Sequence, residues 1–227
     1  MAVYRLDERI AFPPPQMSEE SGLLAIGGDL SVDRLVEAYS SGIFPWYSEG
    51  EPIMWFSPNP RFILYPEVFK VSRSLAKTIK SKKYRVSIDT CFDKVIQHCS
   101  DVPRVGQDGT WITEEMMGAY VQLHKLGIAH SFEVFEGDHL VGGLYGVSLG
   151  SAFFGESMFH LKPDASKVAL HGLVNLMLEW GYGFIDAQVP TDHMKNMGAV
   201  EVERSVFLKK LEASLKNPTR AELWSKR

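Results

Sequence analysis

HSFEVFEGDHLVGGLYGVSLGSAFFGESMFHLKPDASKVALHGLVNLMLEWGYGFIDAQV, residues 130–189, decides the fold. Apolar and polar residues alternate over His130–Phe135 as they do along a strand, EGDH turns the chain, and Leu140–Val147 runs back. Gly150 turns it again into Ala152–Phe159. Ser166–Trp180 then carries Ala169, Leu170, Leu173, Val174 and Met177 on one apolar stripe, with Gly181 placed to end the helix. Phe184–Val189 is a fourth strand and Ser205–Leu215 a last helix. Three strands in a meander, then helix, strand and helix, predict a mixed α/β domain.

Upstream, Tyr84–Ile88 reads as a strand and Phe92–Cys99 as a short helix. Thr113, followed by Glu114 and Glu115, starts a helix, since acids in the first turn suit the helix dipole. Tyr120, Leu123 and Leu126 continue it to Gly127. The first 65 residues differ in texture. Asp29 or Ser31 can cap a helix over Val32–Ser41 that Gly42 closes, and Pro45, Pro52, Pro58 and Pro60 then exclude any long helix. Residues 1–65 therefore read as a small N-terminal α+β domain, and 66–227 as the main domain. Its element order resembles the acetyltransferase fold of the GNAT superfamily.

Composition narrows the field further. With 45% apolar and 23% charged residues, the chain is that of an ordinary globular protein. Cys91 and Cys99 cannot form a disulfide framework, and no Cys/His set has zinc spacing. The start lacks an apolar run of signal-peptide length, and Leu140–Gly155 falls short of the ~20 apolar residues of a membrane span. A cytoplasmic protein, free of the membrane, is expected. The net charge is −4, yet Lys70–Arg85 carries seven basic residues and no acid. A helix there places Arg73, Lys77 and Lys80 on one face, with Lys83 just beyond. On an acidic protein this is either a solvated face or a footprint for a polyanion.

Acetyltransferases of GNAT fold hold acyl-coenzyme A by a glycine-rich loop at a helix N-terminus. The equivalent segment here, FHLKPDASK, has no glycine and carries Asp164. The fold order therefore points to acyl transfer, and the segment argues against a coenzyme A donor. Three polar residues interrupt apolar strands: Glu156, and Asp186 with Gln188, which strict alternation would place on one side of their strand. A buried acid is costly unless paired, so each either belongs to a structural network or handles a proton or a cation. Trp46, Trp55 and Trp111 either fill the core or stack nucleic-acid bases. His124, His130 and His193 lack metal spacing and read as structural.

The strings GLLAIGGDL (22–30), GIFPWY (42–47), WFSPNPR (55–61), GTWIT (109–113), LVGGLYGV (140–147), FFGESMF (153–159), SKVAL (166–170) and IDAQV (185–189), in this order, resemble the leucyl/phenylalanyl-tRNA–protein transferase family. The resemblance spans roughly residues 12–207. It implies a small N-terminal domain before a GNAT-like domain. The implied reaction moves Leu or Phe, sometimes Met, from aminoacyl-tRNA to the N-terminal α-amine of proteins that begin with Arg or Lys, marking them for N-degron degradation. Neither a metal nor a cofactor is implied, and a monomer is expected.

The resemblance also implies roles. Asp186 and Gln188 match the catalytic pair, with Asp186, oriented through Gln188, accepting a hydrogen bond or proton from the amine; Glu156 holds the acceptor's cationic group or orients the amine. Leu144, Phe153, Met158, Leu173, Met177 and Ile185 line the aminoacyl pocket. Trp46, Trp55 and Trp111 frame the entrance for the terminal adenosine, and Arg73, Lys77, Lys80 and Lys83 hold tRNA phosphates. Three positions depart from the family pattern: Ala187 where Cys is common, which excludes a thiol there, His160 where Ser is usual, and Phe56 where a second Trp is common. The rival readings are an acyl-coenzyme A-dependent enzyme of the same fold and a non-catalytic degron- or RNA-binding adaptor.

Overall fold

The computed structural model describes residues 3–102, 111–219 and 224. Two sheets organise them. The small sheet has the order β1 (Tyr4–Leu6), β2 (Leu23–Gly27), β4 (Met54–Phe56), β3 (Phe44–Pro45), with α1 (Val32–Ser40) inserted between β2 and β3. Seven strands form the large sheet: β11 (Val200–Val202), β5 (Arg61–Leu64), β10 (Phe184–Gln188), β9 (Ala152–His160), β8 (His139–Leu149), β7 (Ala129–Glu136) and β6 (Arg85–Ile88). The helices are α2 (Arg73–Lys80), α3 (Phe92–Asp101), α4 (Glu114–Lys125), α5 (Ala165–Trp180), α6 (Asp192–Asn196) and α7 (Arg204–Leu215).

The meander, helix, strand order expected of a GNAT-like domain is present as β7–β8–β9–α5–β10. Every neighbouring pair in the large sheet is antiparallel except β9 and β10, which α5 connects in parallel. Residues alternate between the two faces of the sheet. Leu144, Phe153 and Ile185 pack toward α5, while Tyr145, Val147 and Phe154 join the core shared with α3, α4 and the small sheet. That second core is continuous from Leu24 and Trp55 to Phe159. Local chemistry sets the helix starts: Ser31, Ser72 and Thr113 each accept the backbone N–H three residues on.

The sequence places the end of the N-terminal domain at 65, but the small sheet ends at Phe56 and β5 lies inside the large sheet, between β11 and β10. A four-residue strand gives no sign in sequence of which sheet it joins, because both offer it an apolar face. β11 and α6 are likewise too short to read from periodicity. One glycine is demanded by the strand geometry. At Gly146 the β8–β9 register shifts, and a Cβ would lie 2.1 Å from the Phe154 carbonyl oxygen.

Candidate active site

The parallel pairing of β9 and β10 stops at Phe154 opposite Asp186. Beyond that pair β9 continues along β8, while β10 bulges between Asp186 and Gln188 and leaves Gln188 at φ +64°. The two strands thereby part around a cavity of about 550 Å³. Gly155, Glu156 and Met158 face it from β9, and Ala187 and Gln188 from β10. Leu144, Phe153, Leu170, Leu173 and Ile185 supply an apolar wall, and the half-buried Trp46 and Trp111 also line it.

The bulge overturns the expectation that Asp186 and Gln188 share a face. Gln188 lines the cavity, whereas the fully buried Asp186 does not. Its carboxylate takes both forks of Arg61, Nε to Oδ1 at 2.9 Å and Nη2 to Oδ2 at 2.6 Å. Arg61 is itself wholly buried, between the rings of Phe44 and Phe207, and donates to the Gly42 carbonyl at 3.2 Å. Oδ1 also accepts the Gln188 backbone N–H at 2.9 Å. Asp186 is thus a paired anion that anchors the bulge, rather than a solitary acid beside the cavity. Its geometry supports positioning and not proton transfer.

Glu156 sits differently. Its Oε1 accepts from Tyr39 Oη at 2.7 Å and Gln188 Nε2 at 2.8 Å, and its Oε2 from Tyr120 Oη at 3.0 Å. The hydroxyls of Tyr39, on α1, and Tyr120, on α4, are hydrogen-bonded to each other as well. Burial pushes the Glu156 carboxyl up to about 7, against the pull of three donors that favour its ionised form, and the Asp186 charge adds to the rise. No cation pairs with it among the described residues. Because Gln188 spends its amide N–H₂ on Glu156, its carbonyl oxygen is the end available to a ligand.

The remaining candidates divide. Met177 is not in the cavity wall: it lies in the core beneath α5, since at position 177 the helix has turned away from the β9–β10 gap. Trp55 is fully buried in the small sheet, its indole N–H on the Gly27 carbonyl at 2.9 Å and its ring edge-on to Phe12, so it frames no entrance. Arg73, Lys77, Lys80 and Lys83 are all exposed along and just after α2. His193, read as structural from sequence, lies on the cavity wall, as does His160. His124 stacks on Phe92, and His130 bonds Asp89 at 2.7 Å. Of GTWIT, Gly109 and Thr110 lie outside the described residues. Tyr39, Tyr120 and Leu170 carry no sign of a role at the site in the sequence, where they are ordinary apolar helix positions.

At the start of α5, Asp164 occupies the left-handed region and its carboxylate accepts from Thr78 at 3.0 Å and Lys167 at 3.1 Å. Partial burial opposes its ionisation, but those two donors outweigh it and hold the group below the usual carboxylate range. An ionised Asp164, paired with Lys167, thus stands at the start of α5.

Comparison with known proteins identifies the family. The family model described as leucyl/phenylalanyl-tRNA protein transferase matches residues 63–212, and the model of its N-terminal domain matches 28–59. A protein named leucyl/phenylalanyl-tRNA–protein transferase from Anaeromyxobacter sp. (strain Fw109-5) is 54% identical over 99% of this chain and 95% of its own. Those of Myxococcus xanthus (strain DK1622) and Legionella pneumophila (strain Corby) are 53% and 52% identical, covering 99% and 96% of this chain and 97% and 98% of theirs. Among solved structures, L-PGS from Bacillus licheniformis aligns with a TM-score of 0.42 at 13% identity, over 80% of this chain and 62% of that one. The chain belongs to the leucyl/phenylalanyl-tRNA–protein transferase family.

Proposed function

We propose that this enzyme moves Leu or Phe, and also Met, from aminoacyl-tRNA to the α-amine of proteins beginning with Arg or Lys, in the cytoplasm and as a monomer, marking them for N-degron degradation. The observation that carries this reading is the cavity itself: an apolar hole large enough for a Phe side chain, bordered on one side by Glu156 and Gln188. Leucine, methionine and phenylalanine side chains gain by leaving water there, whereas polar ones would lose hydrogen bonds. Trp46 and Trp111 offer flat faces to the terminal adenine.

The chemistry asks little beyond alignment, because an aminoacyl ester is already activated. The amine nitrogen attacks the ester carbonyl carbon, the C–N bond forms, the C–O bond to the ribose breaks, and the ribose oxygen leaves with a proton. The Gln188 carbonyl accepts an N–H of the attacking amine, and the Asp186 carboxylate holds Gln188 in place through its backbone N–H. Glu156 stands next to Gln188 as the site's own negative charge for a cationic amine. The exposed cations of α2 supply phosphate contacts, which position the tRNA without reading its sequence. Among the described residues no helix is long and apolar enough to cross a membrane.

Labelled Leu-tRNA incubated with a peptide beginning with Arg should yield labelled peptide. RNase treatment should abolish the transfer, and an N-acetylated peptide should not react; transfer that survives RNase would overturn the reading. The same assay with acetyl-coenzyme A as donor should release no thiol, in keeping with the Asp164 carboxylate at α5. Reversing the charges of Arg73 and Lys77 should raise the KM of every aminoacyl-tRNA alike and make log KM less steep in log salt, by roughly one counterion per lost contact. Unequal effects between tRNAs would show that α2 reads more than phosphate.

A further inference from the structure

The oxygens of Glu156, Tyr39 and Tyr120 make three mutual contacts at hydrogen-bonding distance: Tyr39 to Glu156, Tyr120 to Glu156, and Tyr39 to Tyr120. Each contact needs one proton. The two phenols supply two, and burial keeps both phenols well above their usual range, so neither is a source of negative charge. A third proton, when one is bound, sits on the carboxyl group of Glu156. With it the ring closes: one phenol donates to the other, that one to the carboxyl, and the carboxyl O–H back to the first. Without it, both phenols turn to the carboxylate and their mutual contact opens.

We infer that Glu156 is the proton acceptor for the incoming α-ammonium group, and that Tyr39 and Tyr120 are positioning residues that set how readily it takes and releases that proton. This rests on the reading of the cavity as the site of aminoacyl transfer. An N-terminal amine has a pKa of about 7.7–8.0 in solution and arrives largely as ammonium, which cannot attack an ester. Glu156, at about 7 and on the cavity wall, is poised within one unit of it. The step balances: carboxylate plus ammonium gives carboxylic acid plus free amine, the amine attacks, and its remaining surplus proton leaves on the ribose oxygen. The acid then returns its proton to water, and the enzyme is reset.

The groups that face Glu156 are few. Tyr39 comes from α1, Tyr120 from α4 and Gln188 from β10, and the Asp186 carboxylate behind them, paired with Arg61 on β5, adds a smaller upward push. Tyr145 on β8 acts on Tyr120 rather than on Glu156. The two phenols therefore control this carboxyl. Each favours the carboxylate, so removing one raises the pH at which Glu156 can accept a proton.

The test is the pH profile of kcat with saturating Phe-tRNA and an Arg-initiated peptide, for the wild type, Glu156→Gln, Tyr39→Phe and Tyr120→Phe. The wild type should show an acidic limb near pH 7. Glu156→Gln should fall about 100-fold or more in kcat at pH 7 with the KM for aminoacyl-tRNA unchanged, and its remaining activity should follow the titration of the amine itself at about 7.7–8.0. Tyr120→Phe and Tyr39→Phe should be slow at neutral pH and regain activity at higher pH, because their limb has moved upward. A uniform loss at every pH, or a limb that stays where it is, overturns the inference. If the wild type makes no product at any pH, it is the transfer reading that has failed. A measurement on the free enzyme guards against misfolded variants: the carboxylic-acid carbonyl band in the infrared should vanish on raising the pH through about 7 and be absent in Glu156→Gln. Its persistence in Glu156→Gln would overturn the assignment.

Discussion

Asp186→Ala is expected to lower folding stability by about 3–5 kcal/mol, visible as a fall in the urea midpoint at constant slope. The reason is what it leaves behind: the Arg61 guanidinium, fully buried between two aromatic rings, with its anion gone. Replacing both partners, Arg61→Met with Asp186→Leu, should recover most of that loss, since an apolar pair needs no solvation. It should not recover activity. The backbone N–H of Gln188 would still lack its acceptor, and the bulge that aims the carboxamide would lose its anchor. If Asp186→Ala instead folds normally and loses only kcat, the carboxylate handles protons and the positioning role assigned to it is wrong.

Gln188→Ala should reduce kcat by about 10²–10⁴ while the KM for aminoacyl-tRNA stays within a few fold. In the proposed mechanism the carboxamide touches the attacking amine and not the tRNA body. Gln188→Gly should be equally slow and yet more stable, by about 1 kcal/mol. Gln188 holds φ +64°, a conformation costing a side-chain-bearing residue on the order of 1–2 kcal/mol and a glycine almost nothing. A variant that gains stability as it loses activity separates a strained functional residue from a merely structural one. Should Gln188→Gly lose stability instead, the bulge is held by contacts of the side chain and its strain has no functional meaning.

The cavity wall shows how far sequence reasoning reaches at a single site. Leu144, Phe153, Met158, Leu173 and Ile185, which the resemblance assigns to one pocket, all face the cavity. Met177 and Trp55 do not, and both differences are of one kind: a resemblance carries over a residue's place in the chain but not the rotation of its element. Glu133 makes the same point from the other side. It is as deeply buried as Asp186, in an alternating strand like that of Glu156, but Ser87, Thr90 and Ser131 satisfy it and it is not part of this cavity's wall. Nothing in the residues themselves separates the three acids.

By itself the sequence determined the long elements, because periodicity and capping are local properties: the three-strand meander, the apolar α5, the helix start at Thr113, and the cationic face of α2. It also determined the family, through many short strings kept in order. The tertiary structure alone decided which of these acids borders the cavity. Arg61 lies 125 positions before Asp186, Tyr39 lies 117 before Glu156, and a one-residue bulge reverses the side on which Gln188 emerges. A carboxylate's proton affinity depends on what surrounds it within a few ångströms, and those neighbours are assembled only when β5, β9, β10, α1 and α4 come together.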